Sequence, residues 1–179
     1  MRRRIVGAVR WRAEIASEWA FDCRRGIDTT GVVRLDGTNY QPVHPAAFRE
    51  FLAHVEVRRS TTTFIDLGSG RGRALFLAVE HGFATAIGIE IEPLHHAIAA
   101  ANLARYRRRR RRSRIRLLHG DARGVVFPSG ALVVFMYNPF PREITKAVVD
   151  RLCTSLRRDP RPAWLIYEAP VDRDVIDAH

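Results

Sequence analysis

The sequence predicts an α/β protein: a doubly wound, mostly parallel sheet beneath a helical N-terminal cap. Three features carry this. From residue 62 onward, short apolar runs alternate strictly with segments of helical period. The second of these runs, Ala84 to Glu90, is nearly continuous apolar, as in a parallel strand covered on both faces. Between the first run and the first helix stands FIDLGSGRGR, Phe64 to Arg73. Strand, glycine turn and helix in this order bring backbone N–H groups and a helix N-terminus close to a ligand.

Taken in order, residues 5 to 25 show an imperfect helical stripe of Ile5, Val9, Ala13, Ala16 and Ala20, which predicts one or two helices. FDCRRGIDTTG, Phe21 to Gly31, is polar and glycine-punctuated and reads as a loop, and VVRLDG as a short strand entering a turn. In YQPVHPAAF, Pro45 can open a helix to about His54, with Phe48, Phe51, Leu52 and Val55 turned inward. Residues 1–60 are therefore expected to form a cap, and 61–179 the core. The core strands are expected at Thr62 to Asp66, Ala84 to Glu90, Ile115 to Leu118, Ala131 to Tyr137 and Ala163 to Tyr167. Gly82 follows the first core helix, Pro93 opens the second and Pro141 the one after the fourth strand.

Composition narrows the function classes. A chain of 179 residues fits one domain, and no run approaches the 18 apolar residues of a membrane span. The apolar stretch after MRRR breaks at Arg10, too soon for a secretory signal. Cys23 and Cys153 show no pairing pattern, which fits a reducing cytoplasm. No histidine has metal-ligand spacing, so no metal is expected. The formal charge is +11, and about half of it lies in the block Arg107 to Arg112, flanked by Arg105, Arg114 and Arg116. Such a block can bind the phosphates of a nucleic acid. With only Tyr106 nearby for stacking, a solvated connector is the favoured reading, at the sheet's amino-terminal edge and away from the ligand crevice.

Two ligand classes are disfavoured by the glycine spacing. A dinucleotide fingerprint needs glycine at 73, where Arg73 stands, and a P-loop needs Gly-Lys-Ser/Thr, whereas the single lysine is Lys146. The remaining pattern, D-x-G-x-G-x-G, resembles the first motif of class I S-adenosylmethionine-dependent methyltransferases. FDCRRGIDTTG followed by YQPVHPAAF resembles the leader of uncharacterised bacterial members. DLGSGRG together with GIE, Gly88 to Glu90, is also similar to Dot1-like lysine methyltransferases over the cofactor half.

The resemblance implies a Rossmann-like sheet of strand order 3-2-1-4-5 and S-adenosylmethionine as cofactor. It implies Asp66 and the backbone of Gly68, Ser69 and Gly70 at the methionine end, with Gly72 completing the turn. Glu90, which ends the second strand, has the acidic side chain that accepts from both ribose hydroxyls, and Glu92 is expected to cap its own helix. Asp121 would meet the adenine amino group and the Ala122 backbone the ring. YNPF resembles the Asn/Asp-Pro-Pro-aromatic motif that holds an acceptor nitrogen, which assigns acceptor roles to Asn138, Pro139 and Phe140. The second proline of that motif is absent, and a plain Asn-Pro turn is the alternative. Glu168 and Tyr167 are conceivable bases, and Asp28, Thr29 and Tyr40 are expected to close over the cofactor. Members of this class carry an antiparallel strand pair after the fifth strand. Only nine residues follow Pro170, so that pair is expected to be missing and the chain to be a fragment. The expected activity is methyl transfer to a nitrogen on a protein or small molecule. Two rivals are a non-catalytic nucleic-acid-binding module and a nicotinamide-dependent reductase, the latter disfavoured by Arg73.

Overall fold

The computed structural model describes residues 11–30, 33–35, 38–107, 111, 114–137 and 140–178. Five strands form a wholly parallel sheet: β3 (Thr63–Leu67), β4 (Thr85–Glu90), β5 (Ile115–His119), β6 (Leu132–Tyr137) and β7 (Ala163–Glu168). Their order is β5-β4-β3-β6-β7, which is 3-2-1-4-5 counted along the core. The doubly wound, Rossmann-like expectation is met, and among the described residues no antiparallel strand joins this sheet.

The period of two sorts the strand side chains into two cores. Phe64, Val133 and Phe135 belong to one, with α3 (Arg73–Glu80) packed over them. Ile65, Leu67, Val134 and Met136 belong to the other, with Val148 and Leu152 of α5 (Arg142–Arg158). The helix between β4 and β5, α4 (Pro93–Arg105), begins at the expected proline and is capped by Glu92, whose carboxylate accepts from the Leu94 N–H.

The N-terminal part joins the first core. Its elements are α1 (Trp11–Arg25), a hairpin of β1 (Val33–Leu35) and β2 (Thr38–Tyr40), and α2 (Pro45–Ala53). Phe48 of α2 is fully buried, with its ring 5.5 Å from that of Phe64 and 6.1 Å from that of Phe135. One expectation needs correction. Phe21 to Arg25 is helical rather than loop, because Phe21 and Asp22 are buried, and the chain leaves the helix at Gly26, φ +70°.

Arg73 binds the cap to the core. It is the first residue of α3 and only 2% exposed. Its Nε donates to Thr29 Oγ1 at 2.7 Å, and its Nη atoms lie 3.4 Å from Glu18 and 3.7 Å from Asp22. Asp22 in turn accepts from the Thr29 backbone at 2.6 Å. Asn102 of α4 grips the same loop, accepting from the Asp28 N–H and donating to the Asp28 carbonyl, both at 2.8 Å.

Of the arginine block, Arg107 and Arg111 are described, and they stand between α4 and β5. Residues 108–110 and 112 lie outside the described residues. Arg111 is more than a solvated connector: its guanidinium donates to the Val79 and Glu80 carbonyls at 2.9 and 2.6 Å, capping the end of α3. Among the described residues no helix is long and apolar enough to cross a membrane.

Removing a buried guanidinium leaves its carboxylate partners desolvated, which costs roughly 3 kcal/mol or more. Arg73→Ala is expected to lower the urea midpoint accordingly with an unchanged slope. A variant as stable as the parent would show that this network does not hold the cap.

Candidate functional site

A cleft of about 670 Å³ opens at the carboxyl ends of β3, β4, β5 and β6. Doubly wound sheets bind ligands at this place, where strand order reverses. Asp66, Gly68, Ser69, Gly70, Glu90, Asp121, Ala122 and Phe140, all picked out from the sequence, line it together.

The glycine loop is held from both sides. The Gly68 and Ser69 N–H groups donate to the Ile89 carbonyl at 2.9 and 3.0 Å. The loop can lie this close to β4 because Gly88 has no side chain: a Cβ there would stand 2.5 Å from Leu75 Cδ1 and 2.7 Å from Ser69 Oγ. On the other side, a Cβ on Gly70, φ +52°, would stand 2.4 Å from the ring of Tyr40.

Glu90 is buried and oriented by two backbone donors. One carboxylate oxygen accepts from Gly70 N–H at 2.7 Å and the other from Glu92 N–H at 2.8 Å. Further acceptor capacity remains on both oxygens. Asp66 is buried nearby. Burial first, and then the negative charge of Glu90, push its carboxyl up to about 8. At neutral pH Asp66 therefore holds its proton, and its hydroxyl is a donor. Asp121 behaves in the opposite way. It accepts from the Arg123 N–H and guanidinium at 2.5 to 2.8 Å, and these bonds hold its carboxyl below the usual range.

Not every predicted residue reaches the cleft. Gly72 stays out of it: it supplies the left-handed turn, φ +91°, ahead of α3 and packs toward Phe76 and Ala99. Asp28 and Thr29 also stand outside, engaged with Asn102, Arg71 and Arg73. Of the three cap residues, only Tyr40 lines the site. Its hydroxyl donates to the Thr29 carbonyl at 2.8 Å, and burial pushes the phenol up. Asn138 and Pro139 lie outside the described residues.

Among the lining residues that the sequence reading missed are His95, Tyr137, Ile144 and Ala169. Tyr137 ends the fourth core strand, so strand-end position was an available signal. His95 carries none beyond its place in the first turn of α4. At the far end of the cleft Ala169 takes φ +49° just ahead of Pro170, a strained backbone of the kind that collects at functional sites. Glu168, paired in register with Tyr137, is raised by burial and then by Glu50. Tyr137 is raised by burial and then by Glu168 and Glu18. Neither Tyr167 nor Glu168 is part of the lining, which takes in Ala169 directly after them. Among the described residues no group of three His, Cys, Asp or Glu side chains is placed to hold a metal ion.

Folded Asp66 keeps its proton to about pH 8, whereas the unfolded chain releases it near 3.8. Its stabilising contribution is thus full below 3.8 and is lost as pH rises through 8. Asp66→Asn is expected to flatten the decline of the unfolding temperature between roughly pH 5 and 8. Parallel profiles for variant and parent would contradict the assignment.

Comparison with known proteins gives a family and a fold. Residues 37–133, just over half of the chain, match the family model of the histone methylation protein DOT1. No curated protein matches the sequence. Among solved structures, the glycopeptide N-methyltransferase MtfA complexed with S-adenosyl-L-homocysteine is similar at 20% identity and a TM-score of 0.51, over 64% of this chain and 46% of that one. Protein 1320 of Thermoplasma acidophilum is similar at 15% identity and a TM-score of 0.51, over 75% of this chain and 65% of that one. The chain spans about half the length of the MtfA chain and 65% of the Thermoplasma protein. These likenesses concern the fold, while the family match rests on the stretch that holds the glycine loop, Glu90 and Asp121. The chain belongs to the family of the histone methylation protein DOT1.

Proposed function

We propose that this chain is an S-adenosylmethionine-dependent methyltransferase acting on a nitrogen acceptor, most simply an amine presented by a protein. The observation that carries the reading is the bond between Glu90 and Gly70 N–H at 2.7 Å. It fixes an acidic acceptor against a side-chain-free loop, so a ribose can meet the carboxylate while the rest of the ligand runs along Gly68 to Gly70. The family match and the cofactor-class ligand in the MtfA structure support the same reading.

The residues present fit that cofactor. The cradle at Gly70 and Gly88 has no room for a Cβ, and Asp66 and Asp121 both line the cleft, which supports the methionine and adenine ends we assign to them. When bound, the cofactor supplies an activated methyl on a sulfonium. The protein's share of the work is alignment and exclusion of water. Tyr40 covers the loop. Tyr137, Phe140 and Ile144 line the opposite end, where an acceptor would enter. Glu18, Glu50 and Glu168 act electrostatically there, a local acidity within a chain of formal charge +11. Negative surroundings favour an amine-bearing acceptor. Glu168, half-buried and raised, is the group we assign to take the proton the amine must lose. Asn138 and Pro139 retain their proposed role as acceptors of hydrogen bonds from that nitrogen.

The test is thermal unfolding with S-adenosylmethionine, S-adenosylhomocysteine and NADH in parallel. A ligand at about 100 times its Kd stabilises the folded state by roughly 2.7 kcal/mol, a rise of a few degrees. Both adenosyl ligands should give this rise, NADH should not, and Gly70→Arg should abolish it. No rise with either adenosyl ligand would overturn the reading.

A further inference from the structure

Resting on the cofactor reading above, we propose that His95 is a positioning residue that hydrogen-bonds a ribose hydroxyl of the bound cofactor, opposite Glu90.

The imidazole is 5% exposed, yet it lines the cleft. Its Nδ1 is buried and has no hydrogen-bond partner among the described groups. A buried polar atom left unpaired costs about 1–3 kcal/mol, so its persistence calls for a reason. The surroundings offer one. The Tyr40 ring centroid lies 4.9 Å from that of His95, and the same tyrosine ring blocks the Cβ position of Gly70. Gly70 N–H is bonded to Glu90. His95, Tyr40 and Glu90 therefore converge on one part of the cleft, the part where a ribose bonded to Glu90 must sit.

The charged groups facing the ring come from each neighbouring segment: Arg71 from the glycine loop, Glu90 from the end of β4 and Glu92 from the turn before α4. Burial outweighs the two carboxylates and, with Arg71, holds the imidazole below its ordinary range. The ring is thus neutral near pH 7, with one nitrogen that donates and one that accepts, and either can serve a hydroxyl. Turning the ring toward a ligand breaks no bond at Nδ1, because Nδ1 makes none. His96, its neighbour in sequence, points elsewhere and stacks on His119 at 5.0 Å.

Two substitutions separate hydrogen bonding from packing. His95→Phe keeps a ring against Tyr40 but removes both nitrogens, and His95→Asn keeps a polar atom near the Nδ1 position. Calorimetric titration with S-adenosylhomocysteine should show about five- to tenfold weaker binding for His95→Phe, the loss of one hydrogen bond. His95→Asn should recover most of it, and ligand-free His95→Phe should unfold no lower than the parent, because it loses an unpaired buried nitrogen. With S-adenosylhomocysteine analogues lacking the 2′- or the 3′-hydroxyl, the His95→Phe penalty should vanish for one of the two. Equal affinity of His95→Phe and parent, or a penalty that persists with both analogues, would overturn the proposal while leaving the cofactor site standing. A parent protein that binds no S-adenosylhomocysteine would overturn the cofactor reading itself, and this proposal with it.

Discussion

A guanidinium taken out of water must be surrounded by acceptors, and in this fold that requirement falls on Arg73. Its position aggravates the demand. As the first residue of α3 it sits at the positive end of a helix dipole, where a cation is disfavoured. Glu18 and Asp22 of α1, with the hydroxyls of Thr29 and Thr30, answer it from the cap. Asp22 then organises the loop by accepting from the Thr29 backbone and both threonine hydroxyls. One buried charge thus fixes where α1 lies, how the chain turns after Gly26, and which side of the glycine loop the cap covers.

The site inherits this arrangement. With the cap fixed, the Tyr40 hydroxyl reaches the Thr29 carbonyl and its ring presses on Gly70. From beneath, Ile89 and Glu90 hold the same loop through its N–H groups. The loop is clamped between a tyrosine and a strand end, so its backbone is set before any ligand arrives. Preorganisation of this kind lowers the entropy cost of binding. Asp66 and Glu90 divide their roles by surroundings: one buried carboxyl holds its proton, and the other receives two backbone donors.

Much of the fold was legible because parallel strands must be apolar on both faces and helices must show their period. Ala84 to Glu90 and the prolines at 45, 93 and 141 marked elements that the structure places within a residue or two. The glycine loop was legible because close approach excludes side chains, and Glu90 because it ends a strand beside that loop. What escaped was tertiary. Arg73 was informative in the sequence only as a missing glycine, since nothing local says that a cap will bury it. Phe21 to Arg25 looked like loop because its polar residues face partners far along the chain: Asp22 meets Arg73, and Arg25 meets Glu80. His95 gave no signal at all, because its meaning comes from Tyr40, 55 positions earlier.

Cap, glycine loop and ligand are expected to behave as one coupled unit. Hydrogen exchange read by mass spectrometry, with and without S-adenosylhomocysteine, measures that coupling. Ligand should slow exchange at 68–72 and 90–92 and, through Arg73 and Tyr40, also in the cap at 27–30 and 40–43. Protection confined to the loop and strand end, with the cap unchanged, would contradict the coupling.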